Sequence, residues 1–274
     1  MPGRTTSRRA WDWFIRGRWS SESCRPGSGG PTGHIQSSTS VFRADARGKN
    51  GSVGKLAAMY PFPEFKEGDR DAVIAFVRKY PFAVITGTSG NGRLAATHIP
   101  LMVHAIEPEL VFRGHVMRQT DHWHAFKENS EVLAVFTGPD APVLASWQSP
   151  APFGGTWNYM AVHPHGNVSF LPDSDLLENL QALKDRFEES PNHKFDSLPE
   201  EYMSRLTPAI ECLQIKVEAI DSVFKLSQNR SVEEFDSTVR HLLERGGESA
   251  LVAEEMFARR GTYFPEADFP GSAG

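Results

Sequence analysis

The chain has 274 residues, 39% of them apolar and 23% charged, with a formal net charge of −5. That length admits one large domain or two small ones, and no apolar run approaches the ~18 residues that cross a bilayer as a helix. The net charge averages two unlike regions: residues 1–58 hold ten Lys/Arg against three acids, a net +7, which leaves −12 for the remainder. An acidic body of this kind argues against a broad footprint on duplex DNA, which needs clustered Lys and Arg.

Residues 1–58 are rich in Gly, Ser, Thr and Arg and lack a sustained apolar period, so they read as a disordered basic extension. The Arg-rich, acid-poor composition also suits an organelle transit peptide, while a nucleic-acid-binding tail is a third reading. The compartment stays open between cytoplasm and organelle. Order begins near Met59. Asp69 to Tyr80 sets Val73, Ile74, Phe76 and Val77 on one helical face, with Asp69 as N-cap and Pro81 as the stop.

Strand-like runs follow at short spacing: Phe82 to Thr88, Leu94 to Ala105, Leu110 to Met117, Val132 to Thr137 and Tyr159 to His163. Ser89-Gly90-Asn91-Gly92 reads as a hairpin turn, and Asp121 to Asn129 as a short helix between strands. Asp173 to Ser190 has helical spacing and a cap at Asp173 or Ser174. Leu213 to Val223 alternates, placing Leu213, Ile215, Val217 and Ala219 on one face of a last strand. Two closing helices, Ser231 to Arg245 and Ser249 to Arg260, are separated by Gly246-Gly247, and Ser231 with Glu234 makes a capping box. Closely spaced strands without alternating long helices imply antiparallel pairing in a barrel or sandwich.

Cys24 and Cys212 fall on opposite sides of the composition break, so neither a disulfide framework nor a Cys/His zinc pattern is expected. No Rossmann or Walker loop, nucleophile elbow or HExxH motif is present. His163 and His165 share a strand face, but Pro164 lies between them and no further ligand follows at metal spacing. His122 and His124 diverge on a helix; structural histidines are the reading for both pairs, with no metal.

Three segments are richer in chemistry. Thr97 and His98 lie mid-strand, and Phe112-Arg113-Gly114-His115 puts a glycine inside a strand, where a ligand or another backbone approaches closely. Trp157-Asn158 lies far upstream of Lys225, Ser227, Gln228, Asn229 and Arg230, which concentrate donors just before a helix N-terminus. Such donors suit an anion such as a phosphate, and Trp157 can stack on a flat ring, as it can equally be a buried Trp beside a polar turn.

These residues sit in ordered blocks: Met59-Tyr60-Pro61, Thr97-His98-Ile99-Pro100-Leu101, Gly114-His115-Val116, Thr156-Trp157-Asn158-Tyr159 and Phe224 to Ser231 (FKLSQNRS). In that order they resemble the PaiB-like FMN-binding negative transcriptional regulators, from about residue 59 to about 260. The resemblance implies a mainly β (α+β) fold: a six-stranded antiparallel split β-barrel of Greek-key type with flanking helices, forming a homodimer with FMN at its interface. It implies a barrel domain over 59–226, a helical segment over 227–262 packed on it, and a tail over 263–274. Thr97, His98, Arg113, Gly114 and His115 would line the flavin from the barrel; Trp157 and Asn158 would face its ring or polar edge. Lys225, Ser227, Gln228 and Arg230 would hold phosphate or tie the dimer.

The family resemblance implies regulation of transcription, which the acidic body directs to an indirect route rather than direct DNA binding. The alternative is a flavin-dependent oxidoreductase of the pyridoxamine-phosphate-oxidase type. A flavin-free member is the third reading, because Gln148 and Gly154-Gly155 depart from the family's pattern in the 148–155 loop.

Overall fold

The computed structural model describes residues 59–147, 154–190, 193, 195 and 198–267. The expectations for residues 1–58, for Cys24 and for residues 148–153 of the altered loop lie outside the described residues, as does the end of the tail. The described residues form two compact units, the first made of 59–140 and 158–226 and the second of 141–147, 154–157 and 227–267.

The first unit is built on a seven-stranded sheet. Its strands are β1 (Phe82–Thr88), β2 (Leu94–Pro100), β3 (Met102–Ala105), β4 (Val111–Met117), β5 (Glu131–Val143), β6 (Thr156–Phe170) and β7 (Ile210–Lys225). The order is β2-β1-β5-β6-β7-β4-β3. β5 and β6 each extend a few residues into the second unit.

The two edges of the sheet, β2 and β3, are consecutive in the chain and separated only by Leu101. Pro100 has no N–H for a ladder, and Leu101 leaves the ladder to donate its N–H to the Pro81 carbonyl at 2.8 Å. One bent segment therefore closes the sheet into an antiparallel split barrel, the expected fold class. The six strands expected become seven because the run 94–105 breaks at Leu101. Gly114 on β4 meets this corner: a Cβ there would lie 2.9 Å from Ile99 Cδ1 and 3.0 Å from the Pro100 carbonyl oxygen. Of the two readings for a glycine in that strand, the close backbone approach is what the fold displays.

Alternation sorts each strand into an inward and an outward face. Ala83, Ile85, Phe112, Ala134, Phe136, Met160, Val162, Leu213 and Ile215 point inward and are buried, with the Phe112 and Phe136 rings 5.2 Å apart. Each such Val, Leu, Ile, Met or Phe side chain contributes about 1.5–3 kcal/mol, and the two alanines less. Helix α1 (Arg70–Lys79), capped by Asp69 accepting from Asp71 N–H, lays Phe76 5.1 Å from Phe224. Helix α2 (Asp121–Glu128) is capped by Thr120, which accepts from Trp123 N–H, and seats Phe126 against Gly87.

Helix α3 (Asp173–Phe187) packs Leu176 and Leu180 against Ile210 and Cys212. Its expected side-chain cap is corrected: Pro172 holds the N-cap position, and neither Asp173 nor Ser174 caps it. A short helix α4 (Glu200–Leu206) follows, which Pro199 and two glutamates in the first turn could have signalled.

The alternation expected for β7 is also corrected. Leu213 and Ile215 are inward and buried, but Ala219 is outward and exposed. The register explains this: His165 pairs with Ala219 and Gly166 with Val217, so Glu218 is an extra residue that reverses the faces beyond it.

The second unit contains α5 (Val232–Arg245) and α6 (Glu248–Tyr263). The expected capping box forms, with Ser231 Oγ accepting from Glu234 N–H and the Glu234 carboxylate accepting from Ser231 N–H, both at 3.3 Å. Buried Arg260 donates from Nε and Nη2 to the two carboxylate oxygens of Asp236 at 2.8 Å each, which ties α6 to α5.

Candidate functional site

The barrel residues singled out in the sequence fall on two faces of the sheet. On β2, Thr97 points inward between Ala95 and Ile99, while His98 points outward, its ring 6.1 Å from that of Phe82. On β4, Gly114 is inward, and Arg113 and His115 are outward beneath α3. Thr97 and Gly114 are thus brought to one side of the sheet and His98, Arg113 and His115 to the other.

Arg113 is already engaged. Its Nη2 lies 3.0 Å from Asp175 and its Nη1 3.1 Å from Glu178, both on α3. His115 Nδ1 lies 3.4 Å from Asn179 Oδ1, and Cys212 is its register partner on β7. Burial pushes the His115 imidazole below its ordinary value, opposed by the Asn179 hydrogen bond. The same burial pushes the Cys212 thiol up to about 11. This face joins a helix to a sheet, and its guanidinium is held by two carboxylates.

The outward face of β6 and β7 carries a second set. Tyr159 pairs with Lys225, Ala161 with Val223, His163 with Asp221 and His165 with Ala219. Lys225 Nζ lies 5.9 Å from the Tyr60 ring centroid and 6.0 Å from that of Phe65, within cation–π range. Tyr60 and Phe62 complete an aromatic corner with centroids 5.3 Å apart. Burial raises the Tyr159 phenol, with Tyr60 adding to it. The sequence pointed to Lys225; Asp221, 58 residues from His163, became a neighbour only through the register. His163 and His165 share the face, yet among the described residues no three His, Cys, Asp or Glu side chains gather as a metal site.

Asn158 begins the inward face of β6 and is fully buried. In the second unit, Trp157 is half exposed. Ser227 is buried with φ 63°, a left-handed conformation uncommon for a non-glycine residue, and its carbonyl accepts from Arg230 N–H at 3.1 Å. The segment Ser227–Arg230 is therefore a strained turn carrying a hydroxyl, an amide and a guanidinium, donor types that suit a phosphate monoester.

The helix that follows contributes less to such an anion than its position implies. The capping box uses the Glu234 N–H, and Glu233 and Glu234 place negative charge in the first turn. The Glu233 carboxyl is held below its usual range by its own N–H and by Ser231.

Comparison with known proteins fits this frame. Residues 59–219 match the model of a family described as "Putative FMN-binding domain". The chain is 29% identical over 200 residues to Protease synthase and sporulation protein PAI 2 of Bacillus subtilis (strain 168), covering 72% of this chain and 96% of that protein. An uncharacterized protein of Emericella nidulans, AN0679, is 23% identical over 207 residues, covering 61% of this chain and 82% of its own. Among solved structures, the FAD and heme binding protein from Mycobacterium smegmatis aligns with a TM-score of 0.44 and 17% identity, covering 66% of this chain and 80% of that one. With more than half of its length matched by the family model, and with the ordered blocks described above, this chain belongs to the FMN-binding domain family of PaiB-like proteins, whose cofactor is FMN.

Proposed function

We propose that the chain is a flavin-binding protein that holds FMN at a homodimer interface and influences gene expression through its ligand state. The observation that carries the reading is the family match over residues 59–219, which spans most of the barrel. The residue types support it: Lys225 on β7 is a cation, and in the second unit Ser227, Gln228 and Arg230 are donor types that a phosphate takes. Trp157, half exposed, is suited to stacking on a planar ring. Thr97, His98, Gly114, His115 and Asn158 are the remaining candidates on the barrel. Arg113 serves the flavin only if Asp175 and Glu178 release it.

A dimer is supported by an apolar outward face on β1 and β2. Phe82, 61% exposed, lies two residues from Val84, which pairs with Val135, and Leu94, 75% exposed, pairs with Thr88 at the far end of the same ladder. The −12 charge of residues 59–274 favours an indirect influence on transcription over tight duplex binding. The test is a titration of the full chain with FMN followed by flavin fluorescence, with sedimentation to read the oligomeric state. Bound FMN in a dimer that Phe82→Glu dissociates supports the reading. A monomer without flavin affinity contradicts it.

A further inference from the structure

We infer that the outward face of β6 and β7 carries a proton-exchanging subsite, built on His163 and Asp221, for the polar edge of a planar heteroaromatic anion. The inference rests on the flavin reading above, and FMN is the ligand it serves.

Three local departures from regular strand geometry meet at this position. Pro164, which cannot donate to a ladder, sits within a central strand between the two histidines. Gly166 approaches β7 so closely that a Cβ would lie 2.1 Å from the Lys216 carbonyl oxygen. Between them the register slips by one residue at Glu218. Each departure weakens a strand that would otherwise pair regularly, and bulges of this kind re-aim side chains beside functional sites.

The bulge decides which residue faces His163. Without the extra Glu218, the faces of β7 would be exchanged beyond it, and Asp221 would point into the barrel. With it, Asp221 is outward and directly paired with His163 across the strands. Both side chains are half-buried, as is His165. Tyr159 and Lys225 occupy the same face four residues along, across the Ala161–Val223 pair.

The charged and titratable neighbours of His163 are His165 and Tyr159 on β6, Asp221 and Lys225 on β7, and Tyr60 and Lys66 on the segment bridged to Val223. On β5 in this unit, Leu133, Val135 and Thr137 carry no titratable group, and the titratable positions are Glu131 and Asp140 at the two ends of the run. Burial and His165 both lower the His163 imidazole, while Asp221 raises it. An imidazole held neutral in the free protein can take a proton when an anion arrives, and Asp221 then stabilises the imidazolium.

The experiment follows His163 in the full chain by long-range 1H–15N spectra across pH, with and without FMN. FMN is expected to raise the His163 titration midpoint by about one pH unit, which corresponds to about tenfold tighter FMN binding below the titration than above it. In the free protein Asp221→Asn lowers the midpoint. His163→Gln, which keeps the size and polarity, flattens this part of the pH profile with its melting temperature unchanged above about pH 7, where the imidazole is neutral in folded and unfolded chain alike. The second ionisation of the FMN phosphate, near pH 6, is common to wild type and His163→Gln, so their difference isolates the imidazole. FMN that binds while the His163 midpoint stays still, or a His163→Gln profile equal to wild type, overturns the inference alone. FMN that does not bind at any pH overturns the flavin reading and this inference with it.

Discussion

The Lys216 carbonyl oxygen stands 2.1 Å from where a Cβ on Gly166 would lie, so β6 and β7 touch backbone to backbone at the bulge. Every heavier residue at 166 must push the two strands apart. Gly166→Ala is expected to cost roughly 3 kcal/mol or more in denaturant unfolding, as strained backbone sites do. Gly154→Ala, with nothing within 4 Å of the added carbon, is the neutral comparison.

A second prediction concerns the buried carboxylate of Glu211. It accepts the Trp123 indole N–H at 2.5 Å and lies 3.2 Å from Lys127 Nζ and 3.3 Å from Arg118 Nη1, with 11% of its side chain exposed. Glu211→Ala strands the indole donor and removes one carboxylate from two partly exposed cations, of which Arg118 keeps the Ile210 carbonyl and Asp173. A loss of about 2 kcal/mol is expected, and a smaller one for Glu211→Gln, which keeps an acceptor for Trp123. Chemical denaturation followed by Trp fluorescence measures both.

Histidine burial sets a pH dependence of stability. His115 and His163 are both held below the ordinary imidazole value of 6.5 by burial. Below that value the unfolded chain binds more protons than the folded one, so stability is full above pH 6.5 and falls on acidification. Thermal melts between pH 7.5 and 5 should show this loss, and His115→Asn should make the decline shallower. A midpoint that stays level down to pH 5 contradicts it.

Cys212 is expected to be inert in the folded chain. Its thiol is buried and pushed up to about 11, so little thiolate exists at pH 8. In Cys24→Ser protein, iodoacetamide should label Cys212 only after denaturant is added, as read by intact mass. Rapid labelling without denaturant would show that the face beneath α3 opens readily.

The sequence carried much of the fold where local signals were unopposed. β1 appears with the expected bounds because Pro81 precedes it and the Ser89–Gly92 turn follows. The Asp69 cap and the Ser231–Glu234 box formed because those contacts lie within three residues. Two misses were local, the cap of α3 and the short helix α4; the others were non-local. β6 extends seven residues past His163 because pairing with β7 on one side overrides Pro164 and Gly166 as apparent stops. The face reversal in β7 depends on a register that one strand cannot reveal. At the site, the family resemblance implied that Arg113 and His115 line the flavin, and only the packing of α3 put Asp175, Glu178 and Asn179 against them. Asp221 could not be linked to His163 before the strands were paired.

FMN binding by the full chain tests the account most directly. Protein purified to homogeneity and titrated with FMN should quench flavin fluorescence with a saturating, one-per-chain stoichiometry, and Lys225→Ala should weaken that binding by about tenfold or more, as loss of a charge-assisted phosphate contact does. Wild-type protein that leaves FMN fluorescence unchanged at concentrations up to the millimolar range would contradict it.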